Sequence, residues 1–320
     1  MTRPTPNLEN RPWVRNRHVK KLFAAFRHAG AEARIVGGAV RNAILSRPVQ
    51  EIDMAINIPP EEVSQIAEKA GFKTVPTGTE HGTLTIILGK EPPRPVEVTS
   101  LRRDVRTDGR HADVAFTDKW EEDASRRDFT MNALYCSENG EIFDPLNGLD
   151  DVLAERVVFI GNPEERIRED YLRILRFFRF SAEYGQGGLD PQGFEACHAL
   201  RSGLAQLSRQ RIGKEFSRLL KGQNCLPILR AMAENGIYAH LIPGGFDSSV
   251  LEGVIQFDEN FSLAPDPTRR LAALALPAFK KNDLKPQGLQ DQLALSSDER
   301  NHVARIWTLS EALPSQFKDE

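Results

Sequence analysis

The pattern of apolar residues changes near residue 160, and this change constrains the fold more than any other feature of the sequence. Before that point, short runs of β-branched and aliphatic residues alternate with helical segments, which is typical of an α/β or α+β domain. After Gly161, apolar residues recur at helical spacing and the strand pattern is absent. The sequence therefore predicts an α+β domain over residues 1–160 and an all-helical domain over residues 161–320.

The same periodicity predicts the individual elements. In the first half, strands are predicted at residues 34–36, 52–56, 83–88, 96–101 and 132–135, with helices at 39–45 and 60–70. In the second half, helices are predicted at residues 166–180, 211–221, 227–234, 268–276 and 298–313.

Composition excludes several classes of protein. The 42 lysines and arginines nearly balance the 45 aspartates and glutamates, so nucleic-acid binding requires a local patch rather than the field of the whole molecule. The longest apolar run, residues 271–279, is too short to cross a bilayer, so we expect no membrane partner. Three cysteines without metal-binding spacing, and no secretory signal, favour a reducing, cytoplasmic location. The sequence does not indicate an oligomeric state.

A glycine turn ends the first predicted strand. Ile35-Val36 runs into Gly37-Gly38 and then into a helix that carries Arg41. Glycines let backbone amides approach a phosphate closely, and a helix N-terminus favours an anion. The lysine of a Walker loop and the third glycine of the dinucleotide fingerprint are missing. Because adjacent glycines at a turn are more often structural, this feature alone decides no function.

Acidic residues occupy the polar faces of two predicted strands. Alternation places Glu51 and Asp53 on one face, roughly 6.6 Å apart along the backbone, and Glu97 on the polar face of a later strand. If the strands are neighbours, Glu51 and Asp53 as ligands and Glu97 as a third acid suit Mg²⁺ and two-metal phosphoryl transfer. A solvated strand face is the alternative. His81 and His111 lie in glycine-containing loops and are not expected to be general bases.

Two charged segments of the second half allow a functional or a structural interpretation. Asp170, Arg173 and Arg176 lie on the polar side of the predicted helix 166–180, where ion pairs along the helix would also account for them. Between residues 201 and 230 there are seven basic residues and one acidic residue. The candidates for contact with RNA phosphates are Arg209, Arg211, Lys214 and Arg218, and a solvated helix face is the alternative.

Five motifs occur in order between residues 20 and 235. They are Gly37-Gly38-Ala39-Val40-Arg41, Glu51-x-Asp53, Arg126-Arg127-Asp128-Phe129-Thr130-Met131-Asn132-Ala133-Leu134, Asp144-Pro145-x-x-Gly148 and Glu169-Asp170-x-x-Arg173. Each is weak alone, but in this order they resemble the motifs of the bacterial tRNA nucleotidyltransferase and poly(A) polymerase family. The segment from Ser208 to Phe216 also resembles the helix that follows these motifs in the family.

The resemblance implies a polymerase-beta-like nucleotidyltransferase head with a mixed sheet, followed by a helical neck and body. It implies addition of nucleotides to an RNA 3′ end without a template, from nucleoside triphosphates and with Mg²⁺ held by Glu51 and Asp53. By this resemblance, Gly38 and Arg41 would contact the triphosphate, and Arg127, Asp128 and Asn132 would contact the sugar and phosphates. Asp170 and Arg173, with Arg176, would read the base or steady the nucleotide.

The chemistry of the bases supports a role for Asp170 and Arg173. Cytosine and adenine each present an amine donor beside an unprotonated ring nitrogen, which one carboxylate and one guanidinium complement. Uracil and guanine present the reverse pattern. Such a pair would accept CTP and ATP and reject UTP and GTP, with discrimination of up to about 10⁴-fold.

Two positions depart from the family pattern. The first acid of the pair is Glu51 where the family has aspartate, and Asn42 follows the motif arginine where the family has aspartate. The longer side chain of Glu51 moves its carboxylate by about an ångström, and Mg²⁺ tolerates misplaced ligands poorly. Three functions therefore stay open: CCA addition to tRNA, poly(A) synthesis by the same chemistry, and RNA binding without catalysis. Compact length favours the first.

Overall fold

The chain forms two compact units in this computed structural model, which describes residues 6–78, 82–89, 94–107, 112–186, 188–281 and 283–312. The first unit ends at Asn162 and the second begins at Pro163. Strands occur in the first unit, and the described part of the second unit is helical, which confirms the predicted α+β class. Within the described ranges, no helix has the length and apolar character needed to cross a membrane. His81 and His111 lie outside the described residues.

A seven-stranded mixed sheet organises the first unit. The strands are β1 (Ala33–Val36), β2 (Asp53–Ile56), β3 (Lys73–Gly78), β4 (Thr83–Leu88), β5 (Arg94–Ser100), β6 (Arg102–Thr107), β7 (Ala112–Phe116), β8 (Tyr135–Cys136) and β9 (Ile142–Phe143). The sheet order is β3-β4-β5-β2-β1-β8-β9, and β6 and β7 form a separate two-stranded sheet. The helices are α1 (Pro12–Arg15), α2 (Arg17–His28), α3 (Gly38–Ile44), α4 (Pro60–Lys69), α5 (Trp120–Ser125) and α6 (Leu149–Leu153).

One row of paired residues crosses the middle of this sheet and brings two acids together. Asp53 of β2 pairs with Glu97 of the parallel strand β5 and with Val36 of the antiparallel strand β1. Val36 pairs in turn with Tyr135 of β8. Residues directly opposite each other point to the same face of a sheet, so these four side chains share one face, whereas Met54 is buried on the other. The acidic strands are therefore neighbours, which the sequence left open.

Two predicted strands begin later than expected. Because β2 starts at Asp53, Glu51 precedes the strand and the alternation argument does not apply to it. Gly37 is the physical reason: with φ 69° and ψ −123° it turns the chain out of β1 and into α3, so residues before Asp53 have no partner on that side. Residues 130–132 form a 3₁₀ turn, and β8 begins only after it.

The described part of the second unit contains two 3₁₀ helices, Arg201–Gln206 and Tyr238–His240, and nine α-helices. The α-helices are α7 (Pro163–Glu169), α8 (Leu172–Tyr184), α9 (Pro191–Ala199), α10 (Arg209–Leu220), α11 (Cys225–Glu234), α12 (Ser249–Asn260), α13 (Pro267–Lys280), α14 (Pro286–Leu293) and α15 (Ser297–Ala312). Helices α8 and α10 pack together and contribute the fully buried Phe177, Phe178 and Phe216. Gly213 lets α14 approach α10, since a Cβ there would lie 1.8 Å from the carbonyl oxygen of Leu293.

The prediction of a single helix over residues 166–180 is wrong, because the structure contains a break between α7 and α8. At the break, Oδ1 of Asp170 accepts a hydrogen bond from the backbone N–H of Leu172 at 3.1 Å. Such a local side-chain bond offers the backbone an alternative to helical pairing. Arg166, at the start of the predicted helix, is buried within α7. Hydrophobic periodicity continues across the break and therefore could not reveal it.

The motif Asp144-Pro145-x-x-Gly148 is a tight cap for α6. The two carboxylate oxygens of Asp144 accept hydrogen bonds from the backbone N–H groups of Gly148 and Leu149, at 2.8 and 2.9 Å. A Cβ at Gly148 would lie 2.2 Å from the carbonyl oxygen of Thr130, which belongs to the Arg126–Leu134 motif. The glycine thus allows two of the family-like motifs to touch through their backbones.

We expect Gly148→Ala to lower the free energy of unfolding by about 1–3 kcal/mol, because the added methyl overlaps the backbone of Thr130 and the turn must shift. Gly253→Ala is the control: it lies within α12 with no atom within 4 Å of the added Cβ, and it should leave stability unchanged or raise it by up to about 1 kcal/mol. Urea unfolding followed by circular dichroism measures both. Equal stability of the two variants would contradict the close approach.

Candidate functional site

The paired acids of the central sheet lie open to solvent. Glu51, Asp53 and Glu97 are exposed, and none of their side chains makes a hydrogen bond or an ion pair with the residues that the structure describes. Partial burial of the carboxylate among protein atoms, together with the negative charges of Glu97 and Glu51, raises the pKa of Asp53 to about 6, against the lowering effect of Arg127. A carboxylate that is accessible yet crowded by like charges is suited to a cation.

The acidic residues can supply part of the coordination shell of Mg²⁺. Among the described residues, no three His, Cys, Asp or Glu side chains are close enough to form a complete metal cage. Mg²⁺ commonly uses only one or two carboxylates and takes its other ligands from water and substrate phosphates. Asp53, with Glu51 two residues before it in the sequence, offers such a partial set of oxygen ligands.

The glycine turn lies next to the acids, because β1 and β2 are paired at Val36 and Asp53. Gly37 is the residue before α3, and its positive φ requires glycine or strain. Its backbone N–H donates to the carbonyl oxygen of Leu134 at 3.0 Å. A Cβ at Gly38 would lie 3.6 Å from Nη2 of Arg41, so the predicted triphosphate residues are close together.

Arg41 is held by neutral amides. It is only 6% exposed, and its Nε and Nη2 donate to the side-chain oxygen of Asn42 at 3.2 and 3.0 Å. Its Nη1 donates to the side-chain oxygen of Asn132. The amide nitrogen of Asn132 donates in turn to Asp128 at 3.0 Å. The structure thus joins three of the predicted nucleotide residues, Arg41, Asp128 and Asn132, in one hydrogen-bonded chain.

Arg127 is anchored by two residues that the sequence analysis did not single out. Oδ2 of Asp123 accepts from Nη2 of Arg127 at 3.0 Å and from the hydroxyl of Tyr135 at 2.8 Å. Oδ1 of Asp123 accepts from Nε of Arg126 at 2.9 Å. Asp123 is 1% exposed, and burial acts to raise its pKa. The charges of Arg127 and Arg126, with hydrogen bonds from Tyr135 and Arg127, outweigh that effect and lower its pKa to about 2.

In the second unit, Asp170 and Arg173 are each fixed by neighbours. Oδ2 of Asp170 accepts from Nη2 of Arg211 at 2.7 Å. Nη1 of Arg173 donates to the carbonyl oxygen of Arg166 at 2.6 Å and forms an ion pair with Glu169. Both charged groups are therefore held in place at the break between α7 and α8.

The basic candidates on α10 divide into two kinds. Arg209, Lys214 and Arg218 are exposed, as a phosphate-binding face requires. Arg211 is half-buried and bound to Asp170, so it differs from the exposed set with which the sequence grouped it. Arg176 of α8 forms an ion pair with Glu215 of α10, with 3.9 Å between Nη1 and Oε1.

Two family models of known proteins match parts of this chain. A family model described as "Poly A polymerase head domain" matches residues 33–158, a range that includes every predicted site residue of the first unit. A second, described as "Probable RNA and SrmB- binding site of polymerase A", matches residues 188–247 and includes α10. Asp170, Arg173 and Arg176 lie outside both ranges.

Two named proteins are similar to this chain over most of its length. The Mus musculus protein "CCA tRNA nucleotidyltransferase 1, mitochondrial" is 36% identical over 290 residues, which cover 88% of this chain and 64% of that protein. The "CCA-adding enzyme" of Streptococcus gordonii is 34% identical over 91% of this chain and 67% of its own length. The chain belongs to the tRNA nucleotidyltransferase and poly(A) polymerase family. It spans less than two thirds of the length of the mouse relative.

A solved structure agrees with this assignment of the family. The CCA-adding enzyme of Bacillus stearothermophilus in complex with CTP superposes with a TM-score of 0.75 at 28% identity, over 95% of this chain and 71% of that chain. The expected polymerase-type head with a helical continuation is therefore confirmed for this family member. Membership of a nucleotidyltransferase family also implies the use of a divalent metal ion.

Asp123 carried a signal that the sequence analysis did not use. It precedes Arg126 by three residues and Arg127 by four, which are ion-pair spacings on a helix, and α5 spans Asp123. Tyr135 carried no comparable signal, because its contact with Asp123 joins residues 12 apart on different elements. Such a pairing depends on the fold of the intervening segment.

We expect Asp123→Asn to lose a contribution of about 2 kcal/mol to stability at neutral pH, because the depressed pKa shows that folding favours the ionised carboxylate. In the wild type this contribution is complete above pH 4 and disappears as the pH falls from about 4 to about 2. The stability difference between wild type and variant should therefore shrink with acidification over that range. Urea unfolding at a series of pH values measures it, with the exposed Asp150→Asn as the control. A difference that is constant with pH would contradict the assignment.

Proposed function

We propose that the protein is an RNA nucleotidyltransferase that adds CCA to tRNA 3′ ends from CTP and ATP without a template and releases pyrophosphate. One observation carries the proposal. Asp53 pairs with Glu97 beside the glycine turn, and Arg127 is close enough for its positive charge to act on the pKa of Asp53. The names of the mouse and Streptococcus gordonii relatives, and the CTP complex of the Bacillus stearothermophilus enzyme, support the choice of reaction.

In this proposal the RNA 3′-hydroxyl attacks the α-phosphate of the incoming nucleotide in line with the leaving pyrophosphate. Asp53 and Glu51 would hold Mg²⁺, which when bound supplies charge stabilisation for phosphate oxygens and lowers the pKa of a coordinated hydroxyl. Arg41 and Arg127 would take up negative charge on the triphosphate. Asp128 and Asn132 orient Arg41 through their hydrogen-bonded chain. Glu97, paired with Asp53, would complete the acidic group.

The second unit supplies a means of choosing the base. Asp170 would accept from the exocyclic amine of cytosine or adenine, and Arg173 would donate to the adjacent ring nitrogen. Leu172 and Arg211 fix the carboxylate of Asp170, and Glu169 fixes the guanidinium of Arg173, so neither side chain is able to rearrange easily to suit uracil or guanine. A mismatched, immobile polar pair rejects a ligand more strongly than a mobile one. Arg176 would steady the nucleotide.

Poly(A) synthesis is the second candidate, because both family models carry polymerase A descriptions. It uses the same residues and differs only in product. For the location, we propose a reducing compartment such as the cytoplasm. Cys136, Cys197 and Cys225 are all buried as free thiols, which supports it, although relatives named as mitochondrial exist.

A nucleotide-incorporation assay tests the function. The purified protein is incubated with Mg²⁺, one labelled nucleoside triphosphate at a time or in mixtures, and either tRNA lacking its CCA end or an unstructured RNA. CCA addition predicts incorporation of C, C and A on the tRNA, with UTP and GTP rejected. Long adenylate tails would support the second candidate, and RNA binding without incorporation would exclude both.

Asp53→Asn should reduce incorporation by at least about 10³-fold, because the amide removes a negative charge and an oxygen ligand from the group proposed to hold Mg²⁺. The fold should survive, since the Asp53 side chain is exposed and makes no hydrogen bond to the described residues. Asp150→Asn, also exposed in the first unit, is the matched control and should keep full activity. Turnover by Asp53→Asn at the wild-type rate would overturn the metal assignment.

The exposed basic residues of α10 are proposed to bind phosphates of the RNA. Lys214→Ala and Arg218→Ala should each weaken tRNA binding and flatten the plot of log affinity against log salt by about 0.7–0.9 for each phosphate that is no longer neutralised. Lys280→Ala, an exposed lysine at the end of α13, should leave the slope unchanged. Filter binding between about 50 and 200 mM salt provides the measurement. Identical slopes for all three variants would exclude α10 as the docking face.

A further inference from the structure

The guanidinium of Arg127 is bound on one side by a closed triangle of hydrogen bonds. Its Nε and Nη2 lie 3.3 and 3.0 Å from Oδ2 of Asp123, and Nε also lies 3.3 Å from the hydroxyl oxygen of Tyr135. The hydroxyl of Tyr135 donates its own proton to Oδ2 of Asp123 at 2.8 Å. Each member of the triangle thus fixes the other two.

The triangle determines where the remaining nitrogen of Arg127 points. Because a guanidinium is planar and rigid, fixing Nε and Nη2 also fixes Nη1. Nη1 lies 3.7 Å from the position that a Cβ would occupy at Gly37, so it reaches the glycine turn. Tyr135 pairs with Val36, the residue immediately before that turn, so the anchor and the turn are on adjacent strands.

Aromatic packing makes the anchor rigid. Trp120, the first residue of α5, contacts the ring of Tyr135 edge-on at 5.3 Å between centroids, and Phe143 lies 6.1 Å from the same ring. The guanidinium of Arg34 stacks over both Trp120 and Phe143, at 4.2 and 4.1 Å. The helix that carries Asp123 and the strand that carries Tyr135 are therefore bound into one cluster.

Asp123 holds a second arginine besides Arg127. Asp123 also forms an ion pair with Arg126 at 2.8 Å, so one carboxylate serves two guanidinium groups. These three side chains carry two positive formal charges and one negative formal charge.

We propose that Asp123 and Tyr135 are positioning residues that direct Nη1 of Arg127 toward the phosphates of a nucleoside triphosphate bound against the glycine turn. The proposal rests on the function proposed above, and it assigns to these two residues an effect on triphosphate affinity that acts only through Arg127. A purely structural role would alter stability and leave affinity alone.

Tyr135→Phe tests the proposal with the least disturbance, because it removes one hydroxyl and keeps the aromatic packing. We expect the KM for CTP and ATP to rise about tenfold, the loss of roughly one well-placed charged hydrogen bond, with kcat changed less than about twofold. Tyr238→Phe is the matched control: Tyr238 is a buried tyrosine of the second unit whose hydroxyl has no hydrogen-bond partner among the described residues. Its KM should equal that of the wild type. An unchanged KM in Tyr135→Phe overturns the proposal.

A double-mutant cycle separates positioning from general structural effects. Once Arg127→Ala has removed the guanidinium, Tyr135→Phe should cause no further loss of triphosphate affinity, because the hydroxyl acts through that group. Additive losses in the double variant would show that Tyr135 acts elsewhere and would overturn the proposal. Thermal unfolding of all four proteins controls for loss of fold.

Direct binding of CTP in the presence of Mg²⁺, measured by equilibrium dialysis, distinguishes this proposal from the proposed function. If the wild type binds CTP and Tyr135→Phe binds it about tenfold more weakly, the positioning role holds even when no nucleotide is added to RNA, and only the proposed reaction fails. If both proteins bind CTP equally, the positioning role fails while the reaction stands. Absence of CTP binding by the wild type overturns both.

Discussion

Two like charges held side by side on neighbouring strands set the conditions for the rest of the first unit. Asp53 and Glu97 are directly paired, an arrangement that is destabilising in a sheet without compensation. The register is nevertheless strongly specified, because a slip of one residue would expose Met54 and Val98, which are buried on the opposite face. Hydrophobic burial thus forces the two carboxylates together, and a bound cation is the natural compensation for their repulsion.

Alternation along single strands predicted which side chains face solvent, but it did not predict which strands meet. The two-residue period of a strand predicted that Asp53 and Glu97 lie on the polar face. Their pairing depends on a connection of about 40 residues between two parallel strands, which the period does not reveal. Glu51 shows the limit of the same argument. Glu51 does alternate with Asp53 in the sequence. However, Gly37 ends the partner strand β1, so Glu51 lies outside the paired region.

Local hydrogen bonds account for what periodicity missed in the second unit. Apolar residues continue at helical spacing through Asp170, yet its carboxylate captures the N–H of Leu172 and the helix breaks there. At the same break, the other oxygen of Asp170 accepts a hydrogen bond from Arg211. A sequence pattern records the average tendency of a segment, whereas one competing side-chain bond decides a single turn.

Two arginines of the first unit are held by acceptors that are uncharged or shared. Arg41 donates hydrogen bonds to the uncharged side-chain oxygens of Asn42 and Asn132. In this light Asn42 is compatible with phosphate binding, since an aspartate there would pair its charge with that of Arg41. Arg127 shares its carboxylate with a second arginine, and Asp53 has no ion-pair partner among the described residues. Charged groups that are fixed in this way need no rearrangement when a ligand of opposite charge approaches them.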